Sequence, residues 1–462
     1  MAPLVWGLAL ALLGGALGQG ALAPAVPTAW GDRIYPQLGQ AGLDVTHYDV
    51  ALRVPQPGTR TLQAQVTLTV QATRPLPLLS LDYLGPAVQG VTWNGAAVPY
   101  ERAAEKLLIR RALAPGTPAR VTVRLAGPAG RVPDPDLPVD LGWQALPGQG
   151  TQPGVNFTFS EPDGTRAFLP VNDHPGDPAG FTLRVTVPRG VTAAASGRQT
   201  AVQDTPQGRT YTFEQREPIP TYALAVHIGP LERVDRPAVQ VGGKTVALRD
   251  YFPPGTPPNI RAPYERTGEI LRLLGEWFGP YPFATYGSAV VTPPLPALET
   301  ATLSTMPVTS SHVRVIVHEA AHQWFGNSVP LGDWSDTWLN EGFATYAELL
   351  WAQAQGEEEG RAVLQRWRDS VENWPTRPLV ARTPAELFDR SAYVRGALAL
   401  HALRGAVGDG LFRAFLQTYA RTRAARPTRT ADLLALARTE LGPRAEGVLR
   451  TWVESPSLPP LP

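Results

Sequence analysis

The spacing of hydrophobic residues changes near residue 250, and the change divides this 462-residue chain in two. From about Thr46 to Val234 apolar residues alternate with polar ones, as in the run from Leu62 to Val70. Alternation places one face of a strand in a core and the other in water. Turn clusters such as Pro-Gly-Thr-Pro at 115–118 separate the runs,. The pattern in the first half of the chain therefore predicts an antiparallel β domain of many strands.

The second half has the spacing of helices. An apolar stripe runs from Ile270 to Phe278 and ends at Gly279-Pro280, a helix stop signal,. Further helical patterns cover 313–327, 336–355, 392–406, 411–420 and 430–441, and a short strand pattern covers 288–292. The sequence thus predicts a multidomain chain, first β and then α+β with mostly helices.

Charge and composition exclude several functional classes. The chain has 41 Lys+Arg against 40 Asp+Glu, so its net charge gives no electrostatic reason to expect nucleic acid or an anionic membrane as a partner,. It has no cysteine, which excludes disulfides, thiol nucleophiles and cysteine metal sites,. With seven histidines in all, a metal site must combine histidine with carboxylates,.

The N-terminus has the features of an export signal. An apolar stretch from Leu4 to Leu17 is followed by small residues and by Ala21-Leu22-Ala23. We expect residues 1–23 to be a signal peptide and the protein to be exported, as an extracellular, periplasmic or cell-envelope protein. The alternative is an uncleaved N-terminal anchor, although the stretch is shorter than the roughly 20 residues of a membrane span.

A metal-binding pattern lies inside one of the helical segments. His318-Glu319-Ala-Ala-His322 places two imidazoles one turn apart on the same helix face, where both can hold one Zn²⁺,. Glu319 projects about 100° away around the helix and can reach the open side of the metal as a general base. The alternative interpretation is a pair of histidines on a helix surface.

A third ligand is expected in Asn340-Glu341-Gly342, which begins eighteen residues after His322. A helix that starts near Ser335-Asp336, with these side chains as its cap, would carry Glu341 one or two turns in. If that helix packs against the first, Glu341 completes a His₂Glu site with a fourth position left for water.

Two stretches carry a family resemblance. Residues 317–327 (VHEAAHQWFGN) and 334–346 (WSDTWLNEGFATY) resemble the gluzincin aminopeptidases related to aminopeptidase N and leukotriene hydrolase. The resemblance implies a saddle-like β domain followed by a thermolysin-like zinc-peptidase domain, with one Zn²⁺ per chain. Long members add a β sandwich and a helical roof. The stretch after Glu341 has room for little beyond the catalytic domain, so we expect a short, bacterial-type member.

These patterns and the resemblance together predict the domain organisation. We expect a signal peptide at 1–23, a linker at 24–43, the N-terminal β domain at 44–235, the thermolysin-like catalytic domain at 236–455 and a proline-rich tail at 456–462.

The resemblance also implies residues that bind the substrate's free amine. The family's Gly-Ala-Met-Glu-Asn strand corresponds to Pro-Ala-Leu-Glu-Thr at 296–300, which assigns amine binding to Glu299 and substrate contact to Ala297. Pro296 departs from the family pattern and has no N–H to donate. Segment 160–170 resembles the family's β-domain segment whose Glu or Gln also contacts the amine. Aligning the two segments at Arg166 assigns this second amine-binding role to Glu161. The alternative for Glu299 is an ordinary surface charge.

The segment 392–397 (AYVRGA) resembles the family helix whose tyrosine stabilises the tetrahedral intermediate, which assigns that role to Tyr393,. Glu348 lies seven residues after Glu341 on the same helix face. It could accept a hydrogen bond from a zinc-bound imidazole or be an ordinary exposed glutamate, and the sequence leaves both interpretations open.

We therefore expect a zinc aminopeptidase that hydrolyses N-terminal residues from peptides with a free N-terminus. Zinc on His318, His322 and Glu341 would activate water, with Glu319 as the general base. One rival is a zinc endopeptidase, because this chemistry alone does not require a free amine. The other is a catalytically silent zinc protein that binds peptides. The sequence has no phosphate-binding loop, dinucleotide fingerprint or convincing nucleophile elbow,.

Overall fold

The computed structural model describes residues 29–135, 137–373 and 376–460. The segment expected to be a signal peptide, 1–23, lies outside these residues. The strands of the first domain are β1 (Leu43–Arg53), β2 (Thr61–Ala72), β3 (Leu79–Asp82), β4 (Ala87–Trp93), β5 (Ala96–Ala97), β6 (Tyr100–Ala103), β7 (Lys106–Ile109), β8 (Ala119–Pro128), β9 (Gly142–Leu146), β10 (Val155–Phe159), β11 (Ala179–Val187), β12 (Thr192–Ala195), β13 (Arg198–Thr205), β14 (Gly208–Ile219) and β15 (Val226–Gly229).

These strands form three sheets. The largest has eight strands in the order β13-β14-β11-β1-β2-β8-β4-β5, and two smaller sheets have the orders β12-β15-β10-β9 and β3-β7-β6. Along the first half of β2 buried and exposed residues alternate, as the sequence pattern predicts,. Among the described strands of the large sheet, the pairing departs from antiparallel between β1 and β11, where Val50 lies beside Leu183 in a parallel ladder.

The second domain begins with a five-stranded sheet, followed by helices. Its strands are β16 (Glu232–Val241), β17 (Lys244–Phe252), β18 (Thr285–Tyr286), β19 (Ser288–Val291) and β20 (Ser304–Pro307). Its helices are α1 (Pro258–Arg261), α2 (Thr267–Phe278), α3 (Val313–Ala321), α4 (Trp338–Gln355), α5 (Glu357–Glu372), α6 (Gly396–Val407), α7 (Asp409–Arg423), α8 (Thr430–Leu441) and α9 (Pro443–Glu454). The predicted order, β and then mostly helical, is confirmed. Among the described residues, none of the helices has both the length and the apolar character that a bilayer span requires.

The helix predicted at 313–327 is shorter than expected. α3 ends at Ala321, and the chain then turns back so that the N–H of Asn327 donates to the carbonyl of His322 at 3.0 Å. Gly326 adopts φ +118°, in the left-handed region that other residues rarely adopt,. The prediction of helix through Asn327 is therefore wrong, because this glycine reverses the chain before the pattern ends.

The cap predicted for the helix of Glu341 is also wrong in detail. A 3₁₀ turn, Trp334–Asp336, precedes α4, and the side chain of Asp333 rather than Ser335 or Asp336 caps this turn by accepting from the N–H of Ser335. Asp336 instead accepts from the hydroxyl of Thr430 at 2.5 Å.

The sequence patterns did not predict α5 or α9. In α5 the buried residues are limited to Gly360, Val363, Trp367 and Val371, and most of the other residues are charged or polar.

The segment before β1 packs against both domains. Asp32 accepts from the ring of His174 at 3.0 Å and from the N–H of Trp334 at 2.7 Å. Trp30 stacks on the other side of His174 with ring centroids 4.6 Å apart. One buried carboxylate thus connects the N-terminal segment, the β domain and the turn that leads into α4.

Candidate active site

The predicted site residues lie around one cavity of about 270 Å³. Glu161 comes from the loop after β10 in the first domain, and the other residues come from the second. The residues that the sequence assigned to the site and that line this cavity are Glu161, Ala297, Glu299, His318, Glu319, His322, Glu341 and Tyr393. The structure therefore brings together every one of the predicted site residues.

His318 in α3 and His322, which directly follows α3, present the same ring nitrogen to Glu341. The Nδ1 of His318 donates to Glu348 at 3.0 Å, and the Nδ1 of His322 donates to the carbonyl of Phe325 at 3.1 Å. Each imidazole is thereby oriented with Nε2 toward Oε2 of Glu341, at 3.3 Å from His318 and 3.6 Å from His322,.

This ligand set fits zinc. A tetrahedral Zn²⁺ with ligand distances of about 2.0–2.1 Å holds its ligand atoms about 3.3 Å apart. The measured separations of 3.3 and 3.6 Å from Oε2 of Glu341 to the two Nε2 atoms are close to that value. Two neutral nitrogens and one carboxylate are also the donor types that catalytic zinc sites use. The three residues can thus hold the ion without rearrangement of the helices.

The electrostatics of these residues favour positive charge between them. Burial lowers the pKa of His322, but the carboxylates of Glu341 and Glu299 raise it to about 9. Burial raises the pKa of Glu341, yet the two imidazoles hold it below its usual value. The carboxylates therefore stabilise a cation in their midst.

Glu319 is buried, with 5% of its surface exposed, and lines the cavity beside the metal-ligand set. Its carboxylate, that of Glu299 and a ring nitrogen of His322 all lie within 4.8 Å of one another. Burial raises the pKa of Glu319 to about 7, although both imidazoles act in the opposite direction. This carboxylate therefore lies beside the groups that could hold the metal ion.

Glu299, which is buried, and Glu161, which is half-buried, contribute two carboxylates that each have one buried oxygen without a hydrogen-bond partner among the described residues. Oε1 of each accepts no hydrogen bond from the described residues. With Glu341 they form a group whose carboxylate oxygens lie within 4.8 Å of one another. Burial raises the pKa of both, and Glu299 is only 3% exposed, so the surface-charge interpretation of Glu299 is wrong. Such a pair requires either a bound proton or a nearby cation to compensate its charge.

The segment 296–300 is held by two amides that the sequence analysis missed. Nδ2 of Asn327 donates to the carbonyl of Glu299 at 2.7 Å, and Nε2 of Gln323 donates to the same carbonyl at 3.2 Å. Leu298 forms an isolated bridge with Thr305 rather than part of a regular strand. Both amides lie within five residues after the HExxH pattern, which is the signal that could have identified them.

The loop of Glu161 is held by a network around Arg166. This guanidinium donates to the carboxylate of Asp163 at 2.6 Å and also pairs with Glu105. The N–H of Arg166 donates to Asp173 at 3.0 Å, and Asp173 in turn accepts from the hydroxyl of Thr221. Two strand-connecting loops are thereby fixed against each other, which positions Glu161 over the second domain.

Tyr393 lies in a π-helical turn, Ser391–Arg395, at the start of α6. Its ring stacks on that of His318 with centroids 5.9 Å apart and planes 18° apart. Burial and the nearby carboxylates raise the pKa of its phenol well above the usual value, so the hydroxyl stays protonated as a hydrogen-bond donor. Arg395 faces away from the cavity and donates to the carbonyls of Trp452 and Ser455.

Two further side chains support the site. Glu348 is 7% exposed and accepts from His318, which resolves the two interpretations that the sequence left open. Tyr222 is buried behind the carboxylate pair, accepts from Nδ2 of Asn340 at 3.3 Å, and has its phenol pKa raised by burial and by Glu299. The sequence carried no signal for Tyr222, because a lone tyrosine between strands resembles any core residue.

Comparison with known proteins gives matches in both domains. Residues 144–223 match the Peptidase M1 N-terminal domain, and residues 287–452 match the Peptidase family M1 domain. The crystal structure of a mutant M1 zinc metallopeptidase from Deinococcus radiodurans, bound to Tyr-Ser-Ala, is 50% identical with a TM-score of 0.90. That alignment covers 94% of this chain and 99% of the Deinococcus chain.

The chain belongs to peptidase family M1. It is a zinc metallopeptidase with the β and helical domains that the resemblance predicted. The crystal structure of a two-domain M1 zinc metallopeptidase mutant bound to L-tryptophan is as similar to this chain as the Tyr-Ser-Ala complex, with a TM-score of 0.90.

The curated relatives in family M1 are longer. Probable aminopeptidase 1 of Sulfurisphaera tokodaii is 27% identical over 408 residues, which are 82% of this chain and 50% of the relative. Aminopeptidase B of Rattus norvegicus is 30% identical over 277 residues, which are 55% of this chain and 41% of the relative. The chain spans half or less of the length of these two M1 proteins.

Proposed function

We propose that this M1 metallopeptidase is an aminopeptidase that removes residues from the free N-terminus of peptides. The observation that carries the proposal is the pair Glu299 and Glu161, two carboxylates that each place one buried, unpartnered oxygen beside the metal-ligand set. A substrate's α-ammonium group would supply a cation that compensates the charge of this pair. The names of the curated relatives support the same activity.

The metal would be held by His318, His322 and Glu341. When bound, zinc supplies Lewis-acid polarisation of the scissile carbonyl and makes a bound water more acidic. Glu319 accepts the proton of the attacking water and then delivers a proton to the leaving amine. Both transfers use the same carboxylate, which the cavity keeps away from bulk water.

Tyr393 and the amine-binding residues act on the substrate directly. The phenol of Tyr393 donates to the oxyanion that forms at the scissile carbonyl, an interaction that is worth roughly 3–4 kcal/mol in comparable sites. Glu299 and Glu161 accept hydrogen bonds from the α-ammonium group, and the backbone of Ala297 contacts the first residue. Together these contacts fix which peptide bond lies beside Glu319.

The carboxylate pair explains why the activity would be restricted to the N-terminus. An acylated or internal segment brings no positive charge, so binding it would leave the buried oxygens of Glu299 and Glu161 without a partner. An endopeptidase has no use for such a pair, and a peptide-binding protein without catalysis has no use for Glu319 beside the metal ligands.

The proposal can be tested with the tripeptide that was bound to the Deinococcus enzyme, Tyr-Ser-Ala. We expect the zinc-loaded protein to release tyrosine and Ser-Ala, observed by chromatography. Release of alanine and Tyr-Ser would show cleavage at the C-terminus and would contradict the proposal. Retention of zinc without turnover of this or any longer peptide would favour the silent peptide-binding function.

We also propose that the protein is exported. The apolar stretch from Leu4 to Leu17 and the small residues after it support this location,. Expression of the full chain in a host with a secretion pathway should give a mature protein in the exported fraction that has lost about the first 23 residues by intact mass. Recovery of the full-length mass from the cytoplasm would contradict export.

A further inference from the structure

Arg314 lies on the wall of the active-site cavity, in the first turn of α3. Its side chain is 63% exposed. Nη1 of its guanidinium donates to Oε2 of Glu348 at 2.8 Å, while Oε1 of Glu348 accepts from His318. Glu348 therefore fixes both a metal-binding imidazole and the guanidinium, which cannot swing away from the cavity without breaking an ion pair.

The charge of Arg314 is opposite to that of its surroundings. Among the described residues that line the cavity, Arg314 has the only guanidinium or ammonium group, whereas five of the others are glutamates. Only Nη1 has a hydrogen-bond partner within the described part of the chain. The remaining N–H groups are available to an anion that enters the cavity.

Positive and negative groups occupy opposite ends of the metal-binding helix. The carboxylate of Glu299 lies within 4.8 Å of a ring nitrogen of His322, at the C-terminal end of α3. Arg314 lies one turn before His318, which corresponds to about 6 Å along the axis, and two turns, about 12 Å, before His322. A peptide whose amine binds Glu299 therefore has its C-terminal part directed toward Arg314.

The distance along α3 from His318 to Arg314 matches the length of a short peptide beyond its scissile bond. With the amine at Glu299 and the first carbonyl at the metal-binding residues, two further residues extend about 7 Å beyond the scissile bond. That distance is comparable to the 6 Å of helix axis between His318 and Arg314. A carboxylate at the end of a tripeptide would then come within reach of the guanidinium.

We propose that Arg314 binds a carboxylate on the leaving side of the substrate and so favours short peptides with a free C-terminus. This inference rests on the proposed aminopeptidase function. The carboxylate has two sources, the α-carboxylate of a tripeptide or an acidic side chain in the leaving portion. A guanidinium pairs with either through two parallel N–H bonds. Because the contact is remote from the scissile bond, it changes KM more than kcat.

The test compares Tyr-Ser-Ala with its C-terminal amide, and both with Tyr-Asp-Ala amide. In the wild-type protein we expect kcat/KM for the free acid to exceed that for the amide by about two- to fivefold, the value of an ion pair with a partly exposed guanidinium. In Arg314→Gln the ratio of acid to amide should fall to about 1, and Arg314→Lys should retain part of it. The ratio cancels any general loss of activity that follows from the disturbed Glu348.

Arg361→Gln is the matched control, because Arg361 is an exposed helix arginine paired with Glu357 and is absent from the cavity wall. It should keep the wild-type ratio. A preference for Tyr-Asp-Ala amide over Tyr-Ser-Ala amide that disappears in Arg314→Gln would assign the contact to a side chain. An acid-to-amide ratio near 1 in the wild type with no preference for Asp, or a ratio that Arg314→Gln leaves unchanged, would overturn the inference while the aminopeptidase function stands. Failure of the wild type to cleave any of the three would overturn both.

Discussion

Gly342 of α4 and Gly396 of α6 pack backbone against backbone, so closely that a Cβ on either would lie 3.0 Å from the Cα of the other. Gly342 directly follows Glu341, and Gly396 lies three residues after Tyr393. The contact between these two helices therefore brings the carboxylate ligand and the phenol to the same cavity. Any larger residue must separate the helices and, with them, the two functional groups.

Gly342→Ala should weaken both stability and activity. Overpacking at this contact should cost about 1–3 kcal/mol of unfolding free energy and lower kcat, because Tyr393 moves relative to Glu341. Chemical denaturation and steady-state kinetics provide the two measurements. Gly405→Ala in α6 is the control, since a Cβ there meets nothing within 4 Å and should be neutral or slightly stabilising,. Equal behaviour of the two variants would show that the helix contact does not position the site.

Glu319→Gln should retain zinc and lose nearly all turnover. Glutamine has a similar shape but cannot accept the proton of the attacking water, so kcat should fall by about 10³-fold or more. Metal analysis and melting temperature should match the wild-type protein. A variant with zinc bound and near-normal kcat would remove Glu319 from the mechanism.

Asn327→Ala should impair substrate binding without loss of zinc. The amide of Asn327 is fully buried and holds the carbonyl of Glu299, so its removal should cost about 1–3 kcal/mol of stability and raise KM as Glu299 shifts,. Asn373→Ala is the control, because that amide bonds an exposed helix carbonyl. An unchanged KM in Asn327→Ala would show that segment 296–300 holds its position without this bond.

His227 should make the fold sensitive to acid. Burial lowers its pKa from 6.5 to about 3, so the folded state binds fewer protons than the unfolded state between these pH values. Stability is therefore lost as pH falls from 6.5 toward 3, by about 2 kcal/mol at pH 5. The side chain in His227→Gln can still form a hydrogen bond with Thr305 but does not titrate, so the variant should not lose this part of the stability. Unfolding of both chelator-treated proteins at pH 7 and pH 5 should show the smaller decrease for the variant, and parallel decreases would contradict the assignment.

The sequence predicted the cluster of His318, His322 and Glu341 and the order of the domains, because both follow local patterns. The spacing of His318 and His322 is fixed by one helical turn, and alternation along β2 is fixed by burial of one face. Where α3 ends was not predictable from periodicity, since the apolar pattern continues to Phe325 whereas the helix ends at Ala321. The roles of Tyr222 and Arg314 depend on contacts between residues far apart in the chain, and their residue types alone indicate no function.

The central claim is that the carboxylates of Glu299 and Glu161 restrict this zinc peptidase to free N-termini. The most direct measurement is mass spectrometry of one ten-residue peptide incubated with the mature protein, free and N-acetylated, with and without a zinc chelator. We expect stepwise loss of N-terminal residues from the free peptide alone, abolished by the chelator. Equal, chelator-sensitive cleavage of both peptides would contradict the claim and identify an endopeptidase.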